Sequence, residues 1–240
     1  MGLFFFVMAF IFLFMLRKNL RWYFIIAAGF IYCAVIAAGM YAYTKKATGQ
    51  DLIQYTAAEM KKSFDMSLEE LAKKGATADD LAMVRGSYEA FVSRPMAAWV
   101  LISAAFLIFL VYFVIRLYAL NKYGISDGMP PFEVWRLPEP VMWACIACMG
   151  TLVFKDMLKA EAVQYAAYNG LFVFSAVYFT AGLAVVSYLF IKYKVPPFAK
   201  FMFYLLLVIW SFLGIIVILA GMLDTWFNFR KLENGGSVWK

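Results

Sequence analysis

Any chemistry in this chain must be done without histidine. The 240 residues contain none, which removes the commonest general base and metal ligand, and with it His-dependent triads and most zinc or haem sites. Three cysteines remain: Cys33, Cys145 and Cys148. The last two form a CxxC inside the apolar run from Val141 to Phe154. Zinc needs four ligands and there is no second pair, so they read as small residues in a packed helix. No Ser or Cys has a visible base, and no pair of acids stands inside an apolar run. The expectation is a non-enzyme with no catalytic residue, metal or cofactor.

The apolar runs offer neutral polar groups instead. Asn169, Tyr178, Thr180, Gly182 and Ser187 fall in one run, with Ser175 nearby. Asn169 and Thr180 are eleven apart and share a helical face; with Tyr178 they form the candidate ligand-binding set. Asn169 leads it, because a buried amide is costly to leave unsatisfied. The alternative is that these groups bond neighbouring helices or their own backbone, at about 0.6–2 kcal/mol each. Gly182 and the Ala34-x-x-x-Ala38 spacing are candidates for close helix packing within the chain. Asp224, Trp226 and Arg230, with Phe227 and Phe229 among them, read as a membrane-interface anchor. The two charges, six apart, are not direct helical neighbours. The long runs hold no Asp, Glu, Lys or Arg, which argues against a proton antiporter.

The elements that position these groups follow from composition. Hydrophobic residues make up 65 % and charged residues 15 %, against about a quarter charged in soluble domains. Only helices or closed barrels cross lipid, and a barrel would read as short alternating strands. The runs here are long and continuous. The expected fold is all-α: a polytopic bundle of about six transmembrane helices, four of them at or above the roughly 20 residues a bilayer requires and the first and fourth shorter. The spans fall near 2–16, 22–44, 95–118, 140–158, 163–191 and 200–224, in a single membrane domain over 1–240. The formal charge of +7 reads as Lys and Arg in loops, not as a nucleic-acid surface.

Residues 45–94 form the one sizeable polar section, expected to be amphipathic and helical. Ile53, Ala57, Met60 and Phe64 make one apolar stripe, and Leu81, Val84, Tyr88 and Phe91 another. Ser67–Glu70 and Thr77–Asp80 have the capping-box pattern, and Gly75 is a natural break. The stripes suit the bilayer surface or packing on the spans better than a solvated partner-binding arm. Two connectors carry proline, within Asn121–Pro140 and Lys192–Lys200. The first run is followed, not preceded, by its positive charge, unlike a signal peptide; its abrupt start suggests that a longer relative has additional residues there.

Basic residues in the connectors at 17–21, 116–136 and 192–200 place these in the cytoplasm and the 45–94 section outside. The tail then conflicts, because Arg230, Lys231 and Lys240 fall outside as well.

Phe132-Glu-Val-Trp-Arg-Leu-Pro138, Asn169, Ala181-Gly-Leu-Ala-Val185 and Leu223-Asp-Thr-Trp-Phe-Asn-Phe-Arg230, together with the helical section ending at Pro95, carry a resemblance. Over most of its length, and most strongly from about residue 95 onward, the chain resembles the YybS-like family of uncharacterised bacterial membrane proteins. The family implies a bacterial cytoplasmic (inner) membrane location and further N-terminal spans. It often has Gln where this chain has Ala181. It is distantly similar to the S components of energy-coupling-factor transporters and to the rod-shape membrane protein MreD. The resemblance implies a small-molecule-binding or transport-associated protein, with a solute and an energising membrane complex as partners. The alternative is a structural or scaffolding protein of the cell envelope. The lipid bilayer is a partner in both; nucleic acid is in neither.

Overall fold

The computed structural model describes residues 2–49, 51–154, 157 and 160–232, without the side chains of Ile53 and Gln54. Among them all regular structure is helical: α1 (Gly2–Arg17), α2 (Trp22–Thr48), α3 (Leu52–Lys73), α4 (Ala78–Tyr88), a π-helical turn (Glu89–Ser93), α5 (Met96–Tyr123), a 3-10 turn (Phe132–Val134), α6 (Glu139–Val153), α7 (Glu161–Lys192), α8 (Pro197–Ile209) and α9 (Ser211–Phe227). The fold class is that of an all-α helical membrane protein. The chain sorts into two compact units, 1–129 and 130–240, where the sequence suggests one domain.

Helices α2, α5 and α7 are long and apolar enough to cross a membrane. The pair α8–α9 brings the number to as many as four if it counts as one span. That pair corrects the expected continuous span at 200–224. The chain bends by 109° there, because Trp210 adopts an extended conformation between the two helices. No proline or glycine marks the break. Helices α1 and α6, with 16 and 15 residues, reach only about 22–24 Å at 1.5 Å per residue, short of a hydrocarbon core of about 30 Å. Helix α6 ends at Val153; the expected continuation to 158 falls largely on residues 155, 156 and 158, which lie outside the described residues.

In the first unit α1, α2 and α5 pack together. Met8, Phe12 and Leu16 recur every fourth residue along α1 and are buried, as are Ile25 of α2 and Ile108, Tyr112 and Ala119 of α5. Lipid removes the hydrophobic drive for such contacts, so close van der Waals fit must hold them. Gly29 supplies it: a Cβ there would stand 2.8 Å from Ile108 Cγ2 and 2.9 Å from Phe12 Cζ.

The polar section forms a helical arm. The Thr77 capping box is present, with Asp80 N donating to Thr77 Oγ1 and Thr77 N donating to Asp80 Oδ2. The Thr77 hydroxyl, donating to Asp80 Oδ2 at 2.7 Å, and then Thr77 N hold the Asp80 carboxyl below its ordinary value. The Ser67 box is not used; α3 runs straight through it and Ser67 bonds back to Ser63 O. What separates α3 from α4 is Gly75 at φ 93°, a conformation costly for any residue with a Cβ. Phe64 of the first stripe stacks on Tyr88 of the second, centroids 3.8 Å apart. The Ile53 side chain, the first member of that stripe, lies outside the described residues.

In the second unit α7 is the central element, packed on α6 and α9. At the α7–α9 crossing, a Cβ on Gly182 would overlap the Val217 carbonyl, and one on Gly221 would overlap that of Tyr178. At the α6–α7 contact a Cβ on Gly170 would meet Cys148 Sγ at 2.9 Å. Gly170 is thus the small group that makes room for Cys148 at this contact.

Candidate functional site

The three residues of the candidate ligand set are not brought together. Tyr178 is fully buried, its hydroxyl 3.8 Å from Met142 Sδ. Thr180, two residues on and so about 200° around the helix, is exposed and donates to Ala176 O at 3.0 Å. Asn169 is buried and donates its amide to Tyr165 O at 3.0 Å. Thr180 and Asn169 therefore bond their own backbone, the alternative weighed above. None of the three lines either of the two grooves that open on the first unit. Of the packing candidates, Gly182 sits at the closest helix crossing of its unit. Ala34 and Ala38 are exposed, so expecting them to pack inside the chain needs correction: in α2 that part falls to Gly29, one turn before the alanines.

The charged residues at the ends of the spans form two buried clusters instead. In the second unit, α9 ends at Phe227, and Asn228 takes a left-handed φ of 44°. The chain turns back and Arg230 reaches Asp224. The six-residue separation that excludes a contact along one helix does not apply, because the helix stops between them. Arg230 Nε and Nη2 donate to Asp224 Oδ2 at 3.1 and 2.7 Å, with both side chains at most 2 % exposed. Its Nη1 and Nη2 also donate to Glu133 O and Trp135 O, each at 2.7 Å. Arg136 Nη2 donates to Thr225 O at 3.1 Å. The expected interface anchor is corrected accordingly. Trp226 is exposed and suits that part, whereas Asp224 and Arg230 turn inward and pair.

This clasp has one loose end. Arg230 is drawn towards the carbonyls of 133 and 135 and meets a single carboxylate oxygen. Asp224 Oδ1 is enclosed and has no hydrogen-bond partner among the described residues. Such a group costs about 1–3 kcal/mol and calls for a cause.

The first unit holds the other cluster, which sequence reasoning missed. Asp127, its side chain fully buried, accepts from Arg116 Nε at 3.0 Å and from the Tyr112 hydroxyl. It also accepts from Met129 N at 3.2 Å, two residues on. Its backbone carbonyl receives Trp22 N at 3.4 Å. The signal was present in Ser126-Asp-Gly128: an Asp before a Gly at φ 72° is the side-chain-bonded turn that Asp favours. Nothing local shows that this turn folds back onto α5.

Each carboxylate is fixed in orientation, Asp127 by Arg116, the Tyr112 hydroxyl and the Met129 N–H, Asp224 by Arg230 alone. Among the described residues no group of His, Cys, Asp and Glu could hold a metal ion. Two of the segments quoted for the family resemblance, 132–138 and 223–230, meet through the Arg230 and Arg136 bonds. No curated protein and no solved structure matches the chain. A family model does match, over residues 1–225, and the chain belongs to the family described as "Predicted membrane protein (DUF2232)".

Proposed function

We propose that this protein is a non-enzymatic, transport-associated component of the bacterial cytoplasmic membrane, which binds a small molecule in its second unit and depends on an energising partner. The observation that supports this best is the break at Trp210, where α8 and α9 meet at 109°. Discontinuous helices in transporters put unpaired backbone groups at membrane depth, where they bind solutes. The same α9 carries Asp224, whose enclosed Oδ1 has no hydrogen-bond partner among the described residues and offers an acceptor for a solute's N–H or O–H. The YybS-like assignment and the likeness to S components are part of this reading.

One observation favours the envelope-scaffold alternative. The arm exposes Met66, Met83 and Phe91, at 61, 72 and 61 %, a surface that a partner protein would cover.

Native mass spectrometry of the full chain, purified in mild detergent from its own membrane, separates the two. A stoichiometric small molecule, or co-purifying ATPase and coupling subunits, is the expected result. Envelope or division proteins with no solute would overturn the transport reading in favour of the scaffold.

A further inference from the structure

At the base of the arm a groove of about 620 Å³ opens between α3 and the α4–π segment, within the volume range of ligand sites. Part of its lining is apolar, with Met60, Met96 and the Phe64–Tyr88 stack. The lining also carries charge of both signs: Lys61, Arg85 and Arg94 against Asp65 and Glu89. Asp65 and Arg85 stand 3.8 Å apart.

Two features single this groove out. The first is the five-residue π-helical turn Glu89–Ser93, the one π-helical segment among the described residues; such turns are rare and concentrate at functional sites. Arg94 N closes the turn on Glu89 O at 3.0 Å, and the Trp99 indole holds Phe91 O at 2.7 Å. Glu89 and Ser93 both line the groove as a result. The second is position. The lining continues through Arg94 to Met96, the first residue of α5, so the groove adjoins the N-terminal end of a helix long and apolar enough to cross a membrane.

We propose that the groove holds the headgroup of a phospholipid in which a phosphate is joined to a primary ammonium. The phosphate suits Lys61 and Arg94, the ammonium suits Glu89, and the apolar part of the lining receives the start of the acyl chains. With Asp65 and Arg85 set against each other, a purely anionic headgroup would still bring its charge against Glu89, and a cationic peptide would meet Lys61 and Arg94. A zwitterion with N–H donors satisfies both sets. This site lies in the first unit and does not rest on the solute reading.

The test uses the full chain, delipidated in detergent, with phosphatidylethanolamine, phosphatidylcholine or phosphatidylglycerol of matched acyl chains added and bound lipid counted by native mass spectrometry. Phosphatidylethanolamine is expected to bind tightest, because phosphatidylcholine lacks the N–H donors. Glu89→Gln should erase its advantage over phosphatidylcholine, a loss of about tenfold or more for one charge-assisted hydrogen bond. Lys61→Gln should weaken both zwitterionic lipids. Lys73→Gln, at the far end of α3, should change neither. All three side chains are exposed, so folding is not at stake. Equal binding of the three lipids, an unchanged preference in Glu89→Gln, or a protein that occupies the arm and survives lipid exchange would overturn the proposal.

Discussion

Replacing Arg230 with methionine tests whether the clasp in the second unit holds that unit together. In the native protein Asp224 is 2 % exposed and one of its oxygens has no hydrogen-bond partner among the described residues. Arg230→Met removes both donors to the other oxygen and the donors to Glu133 O and Trp135 O. Removing one member of a buried ion pair costs about 3–5 kcal/mol, chiefly because the remaining charge is stranded. At about 2–4 °C per kcal/mol for a chain of this size, the loss in melting temperature is roughly 6–20 °C. The assay is the fraction of monodisperse protein surviving a temperature series in detergent. Asp224→Leu/Arg230→Met strands no charge and should recover most of the loss, since apolar replacement of buried pairs is often neutral or better. The control is Lys45→Met, which breaks a 3.9 Å pair with Asp51 whose side chains are 60 and 45 % exposed, worth about 0–1 kcal/mol. If Arg230→Met costs no more than Lys45→Met, or if the double variant is as damaged as the single one, the clasp is not what secures this segment.

Three further outcomes follow from the packing and the caps. Gly182→Ala should unfold or aggregate the chain in detergent, since its Cβ would overlap the Val217 backbone, whereas Gly39→Ala, with nothing within 4 Å, should keep the native melting temperature. Tyr112→Phe should cost about 1–3 kcal/mol in the same assay by leaving Asp127 Oδ2 short of its donor; an unchanged melting temperature would refute that role. The Asp80 carboxyl is held below its ordinary value by Thr77, so its cap supports α4 above the unfolded carboxyl pKa and loses that support as pH falls through the folded value. NMR titration should accordingly find its midpoint below 3.8, and Thr77→Ala should raise it.

Sequence alone determined the class of molecule. A chain with 65 % hydrophobic residues and 15 % charged, arranged in long uninterrupted runs, must satisfy its backbone internally, and helices are how it does so. Local signals also fixed local structure: the Thr77 cap, the Gly75 break, and Gly182 as a point where only a hydrogen allows the helices to meet. Ser67 shows the limit of such signals, because a capping pattern inside a strong helix is ignored when the helix has no reason to start there.

Only the tertiary structure decided which polar groups meet. Thr180 and Tyr178 share a helix, yet one faces outward and the other inward, a difference set by where α6 and α9 pack. The break at Trp210 has no proline or glycine to announce it. Asp127 and Arg116, like Asp224 and Arg230, are separated by helix ends and turns, and spacing rules written for a continuous helix say nothing of a chain that doubles back. Burying a charge is costly enough that each carboxylate is paid for by an arginine, but which arginine reaches it depends on the path of the backbone, and that path is a property of the packed chain.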